Sequence, residues 1–248
     1  MQLSIAHNID SIVRRFGVIR QDQIPFAAAK ALTESVKQAR DRLVAELPSI
    51  YQNPTPYTLN AFYLVPATKR KLSASIGIKD FASKGTPAER YLRPTIEGGS
   101  RNLKRAERAL QAMGLMPAGR FAVPAAGADI DQYGNMRVGQ IVAMLAALKA
   151  LPGAPYTVNL AYKPRARRGK RRAEQYFAVI RPRGGLQPGV YQRLTGRNHG
   201  RVVPVLIYVG APQYQQRFDF YGLGSKYALE AFDEAFRAAY AQAVSTAR

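Results

Sequence analysis

A chain of 248 residues, 47% of them hydrophobic, is long enough to bury one large core or two smaller ones. Its formal net charge of +21, from 37 Lys and Arg against 16 Asp and Glu, favours a polyanionic partner: nucleic acid, an anionic membrane face or an acidic protein surface. The absence of cysteine excludes disulfides, thiolate nucleophiles and cysteine-ligated metals, and suits a protein made in a reducing cytoplasm.

The first residues, Met1-Gln-Leu-Ser-Ile-Ala-His-Asn8, lack a basic stretch followed by an apolar one, so no signal peptide is expected. No apolar run approaches the length that crosses a bilayer. Residues 7–15 have the pattern of a short helix, ended near Gly17. From Ile24 to Leu47 the apolar positions Leu32, Val36, Ala39, Leu43 and Leu47 recur at helical spacing, while Lys37, Arg40, Asp41 and Arg42 take other faces. Pro25 suits a first turn, and Pro48 is expected to stop the helix.

Asn53-Pro-Thr-Pro56 is a loop, and Tyr57 to Val65 fits either a short helix or an extended segment. Leu72 to Ile78 alternates, with Leu72, Ala74, Ile76 and Ile78 on one face, and predicts a strand; Ala82 to Pro87 is a loop. Ser100 is placed to cap a helix from Arg101 to about Met113. Leu103, Ala106, Leu110 and Met113 would form its apolar stripe, and Arg101, Lys104, Arg105 and Arg108 a single basic face. Gly114 to Gly134 reads as an irregular connector. Asp131 to Asn135 is a turn into a helix whose apolar side is Val138, Ile141, Val142, Leu145 and Leu148, ended by Pro152-Gly153.

Tyr156 to Tyr162 and Tyr176 to Arg181 read as strands, followed by a turn at Arg183-Gly-Gly185. Val190-Tyr191 and Arg201 to Val209 are further strands, with Pro204 placing the second at an edge or a bulge. A final helix from about Ser225 to Ala243 carries Leu229, Phe232, Phe236, Ala239 and Ala243 on its apolar side, with Glu230, Asp233, Glu234 and Arg237 outside. This order predicts an α+β fold: long N- and C-terminal helices packed on a mixed or antiparallel β-sheet, with a helical insertion. No repeat at a fixed period suggests a solenoid.

The charge is concentrated. Lys163, Arg165, Arg167, Arg168, Lys170, Arg171 and Arg172 form an almost continuous basic run between two expected strands. Such a run repels itself, buries nothing and projects toward something negative. The turn at 195–200 adds Arg197, and Arg201 follows it; between Lys163 and Arg201 the only acid is Glu174. These residues, with Arg101, Lys104, Arg105 and Arg108, are the candidate contacts to a partner or to DNA. Arg183-Gly-Gly185 is one isolated RGG rather than a tract, and no helix-turn-helix, zinc finger or RNP signature is present. Contact with nucleic acid would therefore be directed at phosphates, independent of sequence and sensitive to salt.

Catalytic chemistry has little to work with. The two histidines, His7 and His199, have no second ligand at metal spacing, and no nucleophile elbow, Walker loop or dinucleotide fingerprint is found. Glu97, ahead of Gly98-Gly-Ser100, reads as a turn or helix-dipole residue. The acids are scattered rather than paired. The sequence predicts no catalytic residues, no metal and no cofactor.

Glu89-Arg-Tyr-Leu-Arg-Pro-Thr-Ile-Glu-Gly-Gly-Ser-Arg-Asn-Leu-Lys-Arg-Ala-Glu-Arg-Ala-Leu110, Leu115-Met-Pro-Ala-Gly119, Asp131-Gln-Tyr-Gly-Asn-Met136 and Gly139-Gln-Ile141 carry a family resemblance. So do Gly185-Leu-Gln-Pro-Gly-Val-Tyr-Gln-Arg193 and Pro204-Val-Leu-Ile-Tyr-Val209. Together they resemble the minor tail protein Z-like proteins of tailed bacteriophages and prophages, a group of tail-completion or neck components. The resemblance runs from the first long helix to the last, and residues 89–150 look like an insertion found in a subset of such proteins, which implies a main domain of 1–88 with 151–248 and an inserted lobe of 89–150. It implies a virion protein without an active site, a homo-oligomeric ring, sixfold or twelvefold, around the DNA channel. Its neighbours would be portal, adaptor, or tail-tube or nozzle proteins, with no membrane. The positive charge would then face packaged DNA or dock on acidic surfaces of those neighbours. A nonspecific nucleic-acid-binding protein, packaged with the phage genome or acting on it, is the alternative, and a phage hydrolase a third.

Overall fold

The computed structural model describes residues 1–5, 23–83, 85–150, 175–194 and 200–246. The fold is α+β, with antiparallel sheets, and the chain divides into two compact units: 1–99 with 214–248, and 100–213. This division differs from the boundaries expected at 89 and 150. The segment after Glu89 packs its apolar side into the first unit, and the strands beyond 175 build the second. The predicted helix at 7–15 and the predicted strand at 156–162 lie outside the described residues.

The first unit contains β1 (Gln2–Ile5), α1 (Gln23–Ile50), α2 (Pro56–Leu59), β2 (Phe62–Val65), β3 (Ala74–Ile78), α3 (Ala88–Glu97) and α6 (Phe220–Thr246). Leu32, Val36, Ala39, Leu43 and Leu47 of α1 are all fully buried, as their spacing requires. They meet Ala228, Phe232, Phe236, Ala239 and Ala243 of α6, so the two long helices share one apolar seam. Pro48 does not stop α1. It falls in the last turn, where few further N–H bonds remain to be lost, and Tyr51 N–H still donates to the Leu47 carbonyl at 2.9 Å. Leu229, expected inside, is 51% exposed, because Ala228 takes the seam position one turn before Phe232.

The sheet of this unit runs β1-β3-β2, antiparallel throughout. The ambiguous stretch from Tyr57 to Val65 contains both candidates in turn, a one-turn helix capped by Thr55 and then β2. As the central strand, β3 is buried on both faces. Phe62 and the pair Phe218 and Phe220 complete the core, with Phe62 to Phe220 centroids 5.4 Å apart. The sequence reading missed α3, whose Leu92 and Ile96 are buried although Pro94 interrupts its hydrogen bonding. Gly98 and Gly99 then adopt φ of 78° and 85°, which turns the chain so that Gly99 can exchange backbone hydrogen bonds with Tyr214.

The second unit contains α4 (Arg105–Ala112), β4 (Phe121–Pro124), α5 (Val138–Ala147), β5 (Gln175–Val179), β6 (Gly189–Arg193) and β7 (Val202–Val209). Its sheet is antiparallel in the order β4-β7-β6-β5, and Leu110, Met116, Met144, Leu145, Tyr176, Val190, Leu206 and Tyr208 form its core. Pro204 lies at a register shift between β6 and β7, a bulge that removes the need for its missing N–H. The expected connector from Gly114 to Gly134 contains β4, which exists only through its pairing with β7. On α5, Val138 is 72% exposed and Val142 is also exposed, so Met144 and Leu145 supply the buried side.

Candidate polyanion-binding surface

Division into units sorts the charge. Residues 100–213 hold 19 of the 37 Lys and Arg but four of the 16 Asp and Glu, a net +15 of the chain's +21. Three of those acids are described, and each is engaged within the unit. Glu107 pairs with Arg101, Asp129 with Arg137 at 3.0 Å, and Asp131 accepts the backbone N–H groups of Tyr133 and Asn135 to shape its turn. In the other unit, by contrast, the pairs Lys37–Glu34, Arg40–Asp41, Arg42–Glu230 and Arg93–Glu97 spread both signs over the surface.

The candidates from sequence fare unequally. Lys163, Arg165, Arg167, Arg168, Lys170, Arg171, Arg172 and Arg197 lie outside the described residues. The helix expected from Arg101 begins only at Arg105, and Ser100 does not cap it. Lys104 stands at the N-cap and Arg101 ahead of it, so the single basic helix face does not form. Of the four, Lys104, Arg105 and Arg108 are exposed. Met113, expected inside, is 52% exposed, while Met116 is buried.

Arg101 has a structural task. Its Nη1 and Nη2 donate to the Glu107 carboxylate at 2.7 and 2.5 Å, and its guanidinium lies 4.8 Å from the centre of the Phe121 ring. Glu107 is 2% exposed and also accepts the Lys104 N–H at 2.6 Å and the Ala122 N–H at 2.8 Å. One carboxylate thus ties the start of α4 to β4. Burial by itself would raise the Glu107 pKa. The Arg101 hydrogen bonds and the two backbone N–H groups outweigh it and hold the carboxyl below its usual range.

Arg201 is exposed at the start of β7, and Arg193, at the end of β6, is exposed beside it. Leu194 N–H donates to the Arg201 carbonyl at 2.9 Å, so the two arginines occupy adjacent strands at one end of the sheet. The opposite end carries Arg181 and Arg183, both exposed. The isolated RGG is a turn: Gly184 and Gly185 both have positive φ, and Arg183 and Leu186 exchange backbone hydrogen bonds across them. Aromatics interleave with these strands as structural side chains. Tyr176 joins the core, and Phe177 stacks on the buried Tyr191 at 5.8 Å. Sequence reasoning missed a second basic tip, Lys69-Arg-Lys71, exposed in the turn between β2 and β3. The criterion applied to 163–172, cations bounded by two strand patterns, would have found it.

Glu97, read as a turn or helix-dipole residue, is instead the last residue of α3 and pairs with Arg93 one turn back at 2.8 Å. Among the described residues, no group of three or more His, Asp or Glu could hold a metal ion, and no helix is long and apolar enough to cross a membrane. No family model, no curated protein and no solved structure matches the chain.

Proposed function

We propose that this chain is a non-catalytic structural protein of a tailed-phage virion, a tail-completion or neck subunit that assembles into a ring around the DNA channel. The observation that carries the proposal is the sorting of charge: a net +15 on the 100–213 unit, whose described acids are engaged internally, beside a unit of mixed sign. A connector subunit needs one body to be held by its neighbours and another that tolerates or grips a polyanion. Two compact units with such different charge suit that division. The motif resemblance between Glu89 and Val209 supports the same reading.

Cryo-electron microscopy of assembled particles tests it. The expected result is density for this chain in a sixfold or twelvefold ring at the head–tail junction. Finding the chain only inside the capsid with the genome, or absent from the particle, would overturn the proposal. A nonspecific nucleic-acid-binding protein is the second reading, favoured by the same +15, and the capsid-interior result would select it.

A further inference from the structure

We infer that the anion met by the 100–213 unit is the phosphate backbone of duplex DNA, gripped without sequence reading by Arg181, Arg183, Arg193 and Arg201. The inference rests on the reading above for its setting and goes beyond it by naming the partner and the contacts. An acidic protein surface is the competing occupant, and three observations weigh against it.

First, 15 of the 19 cations in this unit are arginine. A guanidinium presents a planar fork that meets phosphate oxygens two at a time and stays charged at any working pH. Arg193 lies 5.9 Å from the centre of the Phe177 ring, a contact that orients the group while leaving its fork to an anion. Second, the four arginines stand at both ends of the sheet rather than in one compact patch. Strands rise about 3.3 Å per residue, so the eight residues of β7 separate those ends by roughly 25 Å, a span of several phosphates. Third, a stable protein interface is built round an apolar centre. In the described stretches 180–187, 193–194 and 200–202, the only large exposed hydrophobic is Ile180. Base stacking is not the mode either, because Tyr191 is buried and Phe177 is stacked on it. What remains is charge aimed at a backbone.

The experiment is fluorescence anisotropy of the full chain on a 30-base-pair duplex of arbitrary sequence, titrated across salt. Each phosphate contact contributes about −0.9 to the slope of log K against log salt. Replacing the four arginines by glutamine should flatten that slope by about 3 to 4 and weaken binding by about tenfold or more at 0.1 M salt. Replacing them by lysine should restore most of the slope, which separates lost charge from misfolding. Lys69→Gln, Arg70→Gln and Lys71→Gln together, in the unit of mixed sign, should change affinity by less than about threefold. The inference fails if the glutamine variant keeps its slope, or if the 69–71 variant loses as much. Failure also follows if polyglutamate competes as well as DNA per unit charge, an outcome that would select an acidic protein partner. Native mass spectrometry of the same samples reports ring assembly separately. Rings without DNA binding would overturn this inference alone, and DNA binding by a persistent monomer would overturn the ring reading alone.

Discussion

Removing the cation from the buried pair, Arg101→Met, tests how the second unit is held together. Glu107 is 2% exposed and Arg101 side-chain exposure is 15%, so the substitution leaves a carboxylate with two backbone donors but no counter-charge. Breaking one side of a buried pair costs about 3 to 5 kcal/mol. Glu107→Gln keeps an acceptor for Ala122 N–H but sets an amide donor against Lys104 N–H or Arg101, for a loss of about 2 kcal/mol. The double variant should lose less than the sum, with coupling of about 1 to 3 kcal/mol, because neutral glutamine no longer needs the cation. Urea unfolding gives the totals, and hydrogen exchange at the Ala122 amide gives a local readout. The pH dependence has a definite sign. The folded Glu107 pKa is depressed, so its stabilisation is present above the unfolded value of about 4.3 and is lost as pH falls through the folded value. Glu107→Gln should flatten that window. If Arg101→Met costs less than about 0.5 kcal/mol, or leaves Ala122 exchange unchanged, the pair does not hold α4 to β4 and the reasoning is wrong.

Two glycines in strands should respond unequally to alanine. A Cβ on Gly189 would sit 2.2 Å from the Leu206 carbonyl oxygen, so Gly189→Ala must part β6 from β7 and should cost about 2 kcal/mol by thermal or urea melting. At Gly77 the obstacle is the ring of Tyr63, 37% exposed and able to swing out, and the same change should cost under about 1 kcal/mol. On α6, Phe232→Ala should lose about 3 to 5 kcal/mol and Leu229→Gln about 0.5 or less, which checks the assignment of the buried face. Tyr227 donates to Glu46 at 2.9 Å, and that bond, then burial, raises its phenol pKa. Absorbance titration at alkaline pH should show a Tyr227 pKa lower in Glu46→Gln than in the parent chain.

The long helices were legible because their apolar spacing is dense and repeated. Leu32, Val36, Ala39, Leu43 and Leu47 admit one buried face, and a helix longer than seven turns offers no competing register. Total charge and the Gly184-Gly185 turn were legible for a similar local reason, since each depends on residue chemistry alone; Pro204 announced an edge or a bulge, and the pairing of β6 with β7 decided for the bulge. Short segments were not. The four residues of β4 become a strand only because β7 pairs with them, and α3 is held across Pro94 by the burial of Leu92 and Ile96. The tertiary structure also decided what the basic residues do. Arg101 and Arg108 look alike in a helical projection, yet the buried carboxylate of Glu107 claims the first and leaves the second exposed. Periodicity reports which way a side chain points from its own element. Which partner waits there is settled only when distant strands and helices close around it.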